Sequence, residues 1–462
     1  MNTKTSLPYL SDKTSSSKKK RLYNIIGDLQ VTIEITHNEL NLPLDTFFKM
    51  AARINKKRSF LFVSKVLGKH LAVNPNVALL SGAALGILLQ NHLGGPQPHC
   101  LQDLVQAFDN EDQAENRYKS IKSAPLRVSE PTLFIGFAET ATALGHSMFD
   151  IFSGPTKFLH TTRDIVNELE PILKFEEEHS HATAHRCYAL NETLFEGNEP
   201  VILVDDEITT GKTALNIIQD LQQKHPRSRY VVASLLDWRS EQDIQRFRQT
   251  EQELGITITC LSLIQGQISV AGTSIELNAD KTRTSSNPQF QLKRHHVGHF
   301  FHKLPFSSRN SLNMNNDIPF LKLTGRFGMN GEDTCELDQQ VADCAKFLKS
   351  CRFGQKTLCM GMGEFMYIPM RIAAEMGSGV SYQSSTRSPI HPNNEPSYAI
   401  HTVYRFDSPD DSKIPNFFYN VSKDMYDEIF VFIERETDEN NLASFLEALE
   451  STAVPAVHIV HF

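Results

Sequence analysis

The sequence predicts a two-domain α/β protein in which a parallel sheet is flanked by helices. Unbroken apolar runs such as "PTLFIGF", "PVILVDD" and "YVVASLLDW" alternate with segments of helical spacing, a pattern typical of parallel strands covered on both faces. The length of 462 residues also favours more than one domain. The polar stretch "DKTRTSSNPQ", residues 280–289, is the best linker, and a second α/β pattern follows it.

These observations divide the chain into three parts. Residues 1–22 are expected to be a disordered tail, because "KTSSS" and the basic run "KKKR" (Lys18–Arg21) are polar and of low complexity. An electrostatic arm is the alternative for this run. Residues 23–285 form the first α/β domain and residues 296–462 the second.

The elements of the first domain are predicted in chain order. "LQVTIEI" alternates and predicts a strand, "LDTFFKMAARINKK" has helical spacing, and "FLFVS" predicts a strand. "VALLSGAALGILL" (Val77–Leu89) is too short to span a bilayer and predicts a buried helix. Four strands and two helices then alternate: the strands are "PTLFIGF", "TKFLHTT", "PVILVDD" and "YVVASLLDW", and the helices are "ETATALGHSMFDIF" and "KTALNIIQDLQQKH".

Composition excludes several classes of protein. The formal net charge of -8 offers nucleic acid no general attraction, which speaks against an RNA-binding scaffold. Seven cysteines without a CxxC pair argue against a disulfide framework and a structural zinc site. The N-terminus lacks a signal-peptide apolar core. We therefore expect a cytoplasmic protein that binds no membrane.

The most informative stretch is "VILVDDEITTGKT", Val201–Thr213. Its last letters suggest a Walker P-loop, but Asp206 occupies the position where that loop needs its first glycine. An acidic side chain there would repel the phosphates that such a loop wraps. We therefore reject the P-loop interpretation.

A ribose 5-phosphate fits this stretch better. Asp205 and Asp206 stand at the carboxyl end of a strand, where open α/β sheets bind ligands, and can accept hydrogen bonds from vicinal ribose hydroxyls. The turn that follows opens a helix, whose N-terminus favours an anion. Five residues would hold the 5-phosphate: Thr209, Thr210, Gly211, Lys212 and Thr213. An ordinary strand–turn–helix with acidic caps is the alternative.

This arrangement closely resembles the motif that binds 5-phosphoribosyl 1-pyrophosphate (PRPP) in type I phosphoribosyltransferases, an apolar strand followed by Asp-Asp and then T-T/A-G-x-T. The resemblance implies a type I phosphoribosyltransferase-like sheet and a reaction in which a base nitrogen attacks C1 of PRPP while pyrophosphate leaves. It also implies Mg²⁺, held by Asp205, Asp206 and the substrate's pyrophosphate. Catalysis would rest mainly on positioning and electrostatics.

The resemblance extends to the pyrophosphate end of the site. "IGFAETATALG" (Ile135–Gly145) ends a strand and opens a helix, the place of the pyrophosphate loop in this family. The loop residues would be Gly136, Phe137, Ala138, Glu139 and Thr140. An acidic residue such as Glu139 is unexpected in a loop that binds pyrophosphate. It could bind a metal ion or water, or it could cap the helix. In "LHTTRD", Arg163 resembles the pyrophosphate-contacting arginine of orotate-type enzymes; a surface arginine is the alternative.

"FEEEHSHATAHR" (Phe175–Arg186) corresponds to the mobile catalytic hood of orotate-type enzymes, but it is acidic and His-rich here. Proton handling, metal binding and a solvated loop without chemistry are all open for His179, His181 and His185. An acidic hood favours a neutral or cationic acceptor over an anionic one.

Contacts to the acceptor are predicted from two other segments. "RSFLFVSKVLGKH" (Arg58–His70) resembles the N-terminal hood, and "SLLDWR" ends a strand near the acceptor in these folds. The acceptor residues would be Lys65, Lys69, Asp237, Trp238 and Arg239, with His70 as a further contact. A packing tryptophan and ordinary surface charges are the alternatives.

The C-terminal half carries Thr386, Arg387, Ser388 and Pro389 in sequence. This resembles the TRSP domain found C-terminal to an orotate-like phosphoribosyltransferase family, and "TGRFGM" and "FFYN" are similar to its other marks. The paired resemblance covers roughly residues 23–460. It implies a bacterial protein associated with tellurium-resistance-type gene clusters that makes or salvages a nucleotide-like compound.

The two halves also resemble each other. "LFIGFAETATALG" and "TLCMGMGEFMYIP" each give strand, G-x-x-E and helix, and Gly136–Arg163 and Gly361–Arg387 span 27 and 26 residues. "PVILVDDE" aligns with "EIFVFIERE", but no phosphate turn follows the second. We hypothesise that the second half is a diverged copy of the first. Chance similarity between two α/β patterns is the alternative. Its own phosphate or diphosphate site would use Gly361, Gly363, Glu364, Thr386, Arg387 and Ser388.

Together these features predict a Mg²⁺-dependent phosphoribosyltransferase whose partners are PRPP and a small-molecule acceptor. A homodimer is left open, as are the acceptor and the role of the second domain. Two rival functions share the fold: a non-catalytic PRPP-sensing regulator and a phosphorylase-like enzyme that splits a nucleotide.

Overall fold

The computed structural model describes residues 20–54, 58–176, 184–272 and 290–462. The elements of the N-terminal half are β1 (Lys20–Ile26), β2 (Leu29–His37), α1 (Leu44–Phe47), β3 (Phe48–Ala52), β4 (Phe60–Ser64), α2 (Pro75–His92), α3 (Leu101–Gln106), α4 (Glu111–Ser123), β5 (Leu126–Arg127), β6 (Thr132–Gly136), α5 (Ala141–Phe149), β7 (Phe152–Ser153), β8 (Thr156–His160), β9 (Ile165–Val166), β10 (Leu173–Glu176), β11 (Ala184–Cys187), β12 (Val201–Ile208), α6 (Lys212–Lys224), β13 (Arg229–Asp237), α7 (Glu241–Leu254) and β14 (Thr257–Ala271).

The elements of the C-terminal half are β15 (Gln291–His296), β16 (Lys303–Leu304), β17 (Ser308–Arg309), β18 (Asn315–Asn316), β19 (Phe320–Leu321), β20 (Met329–Asn330), α8 (Asp333–Cys351), β21 (Thr357–Gly361), α9 (Tyr367–Glu375), β22 (Val380–Ser384), β23 (Val403–Asp407), β24 (Pro415–Tyr419), β25 (Glu428–Ile433), α10 (Glu439–Glu450) and β26 (Ala456–His461). Short 3₁₀ turns occupy Glu192–Phe195, Gly298–Phe300 and Lys322–Thr324.

The predicted α/β class is confirmed in both halves. The first sheet has the strand order β1-β2-β14-β13-β12-β6-β8-β20, and its central strands β14, β13, β12, β6 and β8 run parallel. The second sheet has the order β15-β26-β25-β21-β22 and is parallel throughout. The central strands are buried almost without interruption because helices cover both faces.

Helix α2 contains the apolar run predicted to be a buried helix, and it is buried on nearly all sides. It packs against α4 and α5 of its own half and against α9 of the other half, so all its faces are covered. No helix among the described residues is both long and apolar enough to cross a membrane.

One predicted helix is wrong. Among the described residues of "LDTFFKMAARINKK", only Leu44–Phe47 is helical, and the next residues form β3, which pairs antiparallel with β4. Tertiary contacts outweigh the local helical spacing here. Ala52 lies between the hairpin and the C-terminal half, where its N–H donates to the Tyr398 hydroxyl at 2.7 Å and its carbonyl accepts from the His391 N–H at 2.9 Å.

The predicted boundaries also shift. The tail ends earlier than residue 22, because β1 begins at Lys20 and pairs with β2. Lys20 lies 3.2 Å from Glu34, and Arg21 pairs with Asp45, so these two basic residues belong to a strand although their side chains remain exposed. Residues 1–19 and the predicted linker at 280–289 lie outside the described residues. The second sheet begins at Gln291, five residues before the predicted start at 296.

The two halves are interlocked. Strand β20 of the C-terminal half adds antiparallel to β8 at the edge of the first sheet, and β17 pairs with β9. Between α5 and α9, Arg371 Nη1 lies 3.2 Å from Asp150 Oδ2, and both side chains are buried. Lys122 contacts the same carboxylate at 2.8 Å. The division into halves therefore describes the topology and not two separable bodies.

The second sheet repeats the topology of the first, as the hypothesis of a second copy requires. The order β8-β6-β12-β13 corresponds to β22-β21-β25-β26, with the same parallel pairings. Gly136 pairs with His160 and Val204, and Gly361 pairs with Ser384 and Phe432. The two sheets differ in the strand next to β13 and β26. In the first sheet this strand is β14, which follows β13 in the chain, whereas in the second it is β15, which precedes the other strands of its sheet.

Candidate active site

A cleft of about 240 Å³ opens at the carboxyl ends of β6 and β12. The chain passes from β6 to β8 on one side and later adds β12 on the other, so the strand order reverses between β6 and β12. Loops diverge at such a point and leave a crevice in which open α/β sheets bind ligands. Pairing with β6 ends at Val204, whereas β12 continues to Ile208. The end of β12 is therefore uncovered on the side of the cleft.

Asp205 and Asp206 lie on this uncovered end and line the cleft. The Asp205 carboxylate accepts a hydrogen bond from the Asp206 N–H at 2.9 Å. Glu207 lines the cleft as well, with its Oε1 2.5 Å from Arg58 Nη1. Burial raises the pKa of Glu207 although Arg58 acts in the opposite direction. The strand end thus presents three consecutive carboxyl groups to a ligand.

The predicted phosphate turn lies directly beyond these carboxyl groups. Thr209, Thr210, Gly211, Lys212 and Thr213 all line the cleft, and α6 begins at Lys212. Gly211 has φ +71°, and a Cβ there would lie 2.5 Å from the Phe247 ring, so only glycine fits this turn. The first N–H groups of a helix have no acceptors within it, so this end of α6, which lines the cleft, favours an anion.

The loop between β6 and α5 forms the opposite wall. Phe137, Ala138, Glu139 and Thr140 line the cleft, and the Ala138–Glu139 peptide bond is cis. Gly136 lies just behind them, where a Cβ would meet the Ala141 carbonyl at 2.3 Å. Oε1 of Glu139 and the Thr140 hydroxyl are buried without a hydrogen bond. Polar atoms in this state indicate a place where a ligand completes the hydrogen bonding.

Arg163 also lines the cleft, where carboxylates of both halves surround it. Its Nη1 lies 3.3 Å from Glu139 Oε2 and 3.8 Å from Glu364 Oε1. Its backbone N–H donates to Glu364 Oε1 at 3.0 Å, and the Thr162 hydroxyl donates to Glu364 Oε2 at 2.6 Å. Glu364 of the C-terminal half therefore fixes the loop that carries Arg163.

The β3–β4 hairpin and the segment after it form the outer rim. Among the acceptor residues predicted there, Lys69 lines the cleft together with His70. Burial, with the nearby charges of Lys69 and Arg53, lowers the pKa of His70 well below its ordinary value. Leu61 and Phe62 add an apolar patch to the same rim. Lys65 lies outside the cleft and donates to the Asp45 carbonyl.

The C-terminal half contributes Arg387 and Ser388 to this same cleft. Of the six residues predicted for a separate ligand site in that half, these two line the cleft of the first half, and the separate site stays a prediction. Thr386 is buried and pairs with Phe417, and Glu364 points to Arg163. Gly361 and Gly363 pack beneath the loop, where the Gly363 N–H donates to Ser385 Oγ at 3.1 Å.

The cleft carries an excess of positive charge although the chain is acidic. Six cationic side chains line it against four acidic ones. The cationic residues are Arg53, Arg58, Lys69, Arg163, Lys212 and Arg387, and the acidic residues are Glu139, Asp205, Asp206 and Glu207. Such a lining attracts a strongly anionic ligand. It also weakens the expectation of a neutral or cationic acceptor, which rested on the acidic "FEEEHSHATAHR" segment.

The acceptor residues predicted after β13 do not line the cleft. Trp238 is buried and stacks on Phe62, with ring centroids 5.0 Å apart and an interplanar angle of 17°. Asp237 and Arg239 pair with each other at 2.6 Å, and the Arg239 guanidinium lies over the Phe247 ring. These three residues support the cleft from behind, because the chain turns inward after β13 and packs against the hairpin.

Of the three predicted histidines, His179 and His181 lie outside the described residues. His185 is buried beneath the pyrophosphate-type loop. Its Nδ1 lies 3.2 Å from the Thr161 hydroxyl, which accepts a hydrogen bond from the Ala138 N–H at 2.8 Å. His185 therefore lies next to the loop and is not among the residues that line the cleft, and its predicted part in proton transfer stays a prediction.

Several residues of the cleft were missed in the sequence. Glu207 directly follows the two aspartates and could have been found as the third acidic residue of that run. Arg58 begins the hood-like segment, for which only Lys65, Lys69 and His70 were predicted as contacts. Nothing in the sequence indicated that Arg53 lines the cleft, because the segment that contains it was predicted to be a helix.

The carboxyl groups of the cleft fit a Mg²⁺ ion only in part. Among the described residues, no three histidine, cysteine or acidic side chains are grouped closely enough to form a complete metal site. Asp205, Asp206 and the unbonded Oε1 of Glu139 are nevertheless hard oxygen donors at the edge of the cleft. Mg²⁺ is commonly held by one or two carboxylates together with substrate phosphates. The donor set is compatible with that mode.

Comparisons with known proteins agree with this geometry. Residues 47–267 match the family model described as phosphoribosyl transferase (PRTase_2). Residues 323–449 match the model described as the TRSP domain C-terminal to PRTase_2. The fold and the cleft therefore define a phosphoribosyltransferase-type protein. The chain carries a PRTase_2 phosphoribosyl transferase domain followed by a TRSP domain, as the sequence predicted.

Solved structures give weaker likenesses. Adenine phosphoribosyltransferase from Trypanosoma brucei, in complex with AMP, pyrophosphate and ribose-5-phosphate, is 15% identical over 50% of this chain and 82% of its own, with a TM-score of 0.27. The enzyme from Leishmania donovani is 15% identical over 47% and 77%, with a TM-score of 0.24. A hypoxanthine phosphoribosyltransferase from Staphylococcus aureus is 13% identical over 37% and 69%, with a TM-score of 0.19. No curated protein matches the sequence.

Proposed function

We propose that this protein transfers the 5-phosphoribosyl group from PRPP to a base-like acceptor and releases pyrophosphate. One observation carries the proposal. The Asp205–Asp206 pair, the phosphate-type turn before α6 and the loop before α5 all line one cleft at the reversal point of the sheet. PRPP has a 5-phosphate, two ring hydroxyls and a diphosphate, so its three parts correspond to these three features.

The 5-phosphate would lie in the turn Thr209–Thr213, where the N-terminus of α6 favours an anion. The ribose hydroxyls would donate to Asp205 and Asp206. The diphosphate would lie against the loop 137–140 and Arg163. This arrangement leaves C1 of the ribose between the loop and the hairpin rim.

The reaction forms a bond between an acceptor nitrogen and C1 while the C1–oxygen bond to pyrophosphate breaks. The bonding electrons leave with pyrophosphate, and the acceptor loses a proton to solvent or to a basic group. Mg²⁺, bound through Asp205, Asp206 and the diphosphate, would neutralise charge on the leaving group. The protein residues hold the two reactants in line and offset the charge that develops.

The lining of the rim supports a proposal for the class of acceptor. Leu61 and Phe62 give an apolar surface for a planar ring, and the Arg58–Glu207 pair offers a donor and an acceptor for its polar edge. We therefore propose a planar, nitrogen-containing base. We further propose that the product is a nucleotide-like metabolite that acts in a cytoplasmic stress response of the tellurium-resistance type. A tellurite challenge of a deletion strain would test this proposal.

A first experiment tests PRPP binding. PRPP with Mg²⁺ should raise the thermal unfolding temperature of the full chain, and Asp205→Asn with Asp206→Asn should abolish that rise. Asp424→Asn, at an exposed position, is the matched control. No rise in the wild type would contradict the proposal. Size-exclusion chromatography with light scattering, on the same sample, would test the homodimer.

A second experiment distinguishes the proposed transferase from a PRPP-sensing regulator. It predicts the same thermal rise without pyrophosphate release for any base. A screen of pyrophosphate release across purine, pyrimidine and related bases therefore distinguishes enzyme from sensor, and product analysis in the reverse direction tests the phosphorylase-like alternative.

A further inference from the structure

Arg163 and Arg387 occupy equivalent positions in the two sheets. Gly136 pairs with His160, and Gly361 pairs with Ser384. Each arginine comes three residues after the strand residue that pairs with the glycine. In both halves the arginine therefore leaves the carboxyl end of the strand next to the G-x-x-E loop. Both arginines line the one cleft.

Their surroundings differ in a way that bears on function. Arg163 is engaged by Glu139 and Glu364 at 3.3 and 3.8 Å. Arg387 pairs with no carboxylate within salt-bridge distance among the described residues. It is only half-buried, and it faces the cleft beside Ser388. Its guanidinium donors are thus available to an anion, whereas much of the Arg163 charge is already balanced.

The loop that carries Arg387 is held rigidly. Thr386 and Phe417 exchange two backbone hydrogen bonds of 2.9 and 2.8 Å, and the Thr386 hydroxyl accepts from the Ser388 N–H at 3.2 Å. The fully buried Tyr419 donates its hydroxyl to the Ser388 carbonyl and accepts from the Ile390 N–H at 3.2 Å. A guanidinium mounted on such a loop is already positioned before a ligand arrives, which lowers the entropy lost on binding.

The position of Arg387 points to the diphosphate end of the cleft. Asp164, next to Arg163, has its pKa raised by burial and lowered by Arg326, Arg435 and Arg387, with a net decrease. The contacts agree with this: Ser385, two residues before Arg387, accepts a hydrogen bond from the Gly363 N–H at 3.1 Å, and the neighbouring Glu364 accepts one from the Arg163 N–H at 3.0 Å, so the loop of Arg387 is linked to the loop of Arg163. The 5-phosphate turn lies at the end of β12, beyond the ribose-binding carboxylates.

We propose that Arg387 of the C-terminal half binds the diphosphate of PRPP and so completes the transferase site across the domain interface. This inference rests on the proposed function. It assigns the T-R-S-P loop a role in the cleft of the first half instead of a ligand site of its own. It also accounts for the missing phosphate turn after β25, because a half that supplies one diphosphate contact does not need to hold a ribose 5-phosphate.

The test uses isothermal titration of the full chain, in Mg²⁺, with inorganic pyrophosphate, ribose 5-phosphate and PRPP. Arg387→Gln should weaken binding of pyrophosphate and PRPP about 10- to 100-fold, the effect of removing a charged hydrogen-bond donor. Ribose 5-phosphate should bind within about twofold of wild type, because its turn is distant. Arg387→Lys should recover part of the affinity, since it restores charge without the planar fork.

Arg405→Gln is the matched control, because Arg405 is an exposed arginine in the same half. It should change none of the three affinities. Unaltered pyrophosphate and PRPP binding in Arg387→Gln would overturn the inference. An equal loss of ribose 5-phosphate binding would also overturn it, since Arg387 would then act on the whole fold.

Failure of the proposed function gives a different result. If the cleft holds no PRPP at all, wild type would bind neither PRPP nor ribose 5-phosphate, whatever residue stands at position 387; if the protein is only a PRPP sensor, wild type would bind both and release no pyrophosphate with any base. If wild type then bound pyrophosphate alone, and Arg387→Gln lost that binding, the anion site at Arg387 would be supported and the transferase function would be rejected.

Discussion

Glu364 in the C-terminal half accepts a hydrogen bond from the backbone N–H of Arg163 in the N-terminal half, at 3.0 Å. The same carboxylate lies 3.8 Å from the Arg163 guanidinium. The interface between the two halves and the proposed pyrophosphate end of the cleft therefore share these contacts, and a change in the C-terminal half should alter ligand binding in the first.

Glu364→Ala tests this coupling. It removes both hydrogen bonds that fix residues 162 and 163, so the PRPP dissociation constant should rise about tenfold. Ribose 5-phosphate binding should change little, which separates loss of positioning from general unfolding. Isothermal titration measures both, with Glu447→Ala at an exposed helical position as control. Equal PRPP affinity in wild type and Glu364→Ala would contradict the coupling.

Gly211→Ala should disable the phosphate turn. Gly211 and Gly255 both have left-handed φ values, +71° and +65°, but only at Gly211 would a Cβ strike a neighbour, the Phe247 ring at 2.5 Å. Gly255→Ala should cost about 1 kcal/mol of unfolding free energy from backbone strain alone. Gly211→Ala should cost more and abolish PRPP binding. Chemical denaturation and titration check this; retention of PRPP binding by Gly211→Ala would argue against the turn.

The buried Asp150–Arg371 pair should make stability depend on pH. Burial raises the pKa of Asp150, but Arg371 and Lys122 outweigh it, so the net pKa lies below its ordinary value. The carboxylate therefore stabilises the fold fully above the unfolded pKa of about 3.9. That contribution is lost as the pH falls from there through the folded pKa.

Asp150→Asn should accordingly cost about 3 kcal/mol at pH 7, because it leaves buried cations without their partner. The difference from wild type should shrink as the pH falls below about 3.9. Urea denaturation at pH 7, 5 and 3 measures this, with Asp424→Asn as control. A difference that stayed constant down to pH 3 would show that the charge of Asp150 is unimportant.

Trp238 and Phe62 should differ in their effects on the acceptor. Trp238→Phe keeps a ring behind Phe62, so PRPP binding and the acceptor KM should remain within about twofold. Phe62→Ala removes the ring that faces the cleft, and the acceptor KM should rise about tenfold while PRPP binding persists. Steady-state pyrophosphate release with the acceptor found by screening measures both. A larger rise in the acceptor KM for Trp238→Phe than for Phe62→Ala would indicate that Trp238 contacts the acceptor.

Much of this arrangement was predictable because its signals are local. The run "VILVDDEITTGKT" combines strand, carboxylates and turn in consecutive residues, so its geometry follows from the end of one strand and the start of one helix. The two G-x-x-E loops and their following arginines were also recognisable, because the spacing between parallel strands is similar in both halves.

Long-range packing decided what could not be predicted. Phe48–Ala52 forms a strand only because Phe60–Ser64 and the C-terminal half pair with it, so Arg53 gave no signal. Trp238 was assigned to the acceptor, yet Phe62 from a distant hairpin occupies that surface. Arg387 was assigned to a separate site, because nothing in the local sequence reveals that the carboxyl ends of the two sheets meet.

The most direct test of the account is the transfer reaction itself. The wild-type chain is incubated with PRPP, Mg²⁺ and a mixture of bases, and pyrophosphate and new ribosyl 5′-phosphate products are detected by enzymatic assay and mass spectrometry. The account predicts one base-dependent product in stoichiometry with pyrophosphate, absent from Asp205→Asn/Asp206→Asn and present in Asp424→Asn. PRPP binding without any base-dependent product would contradict it.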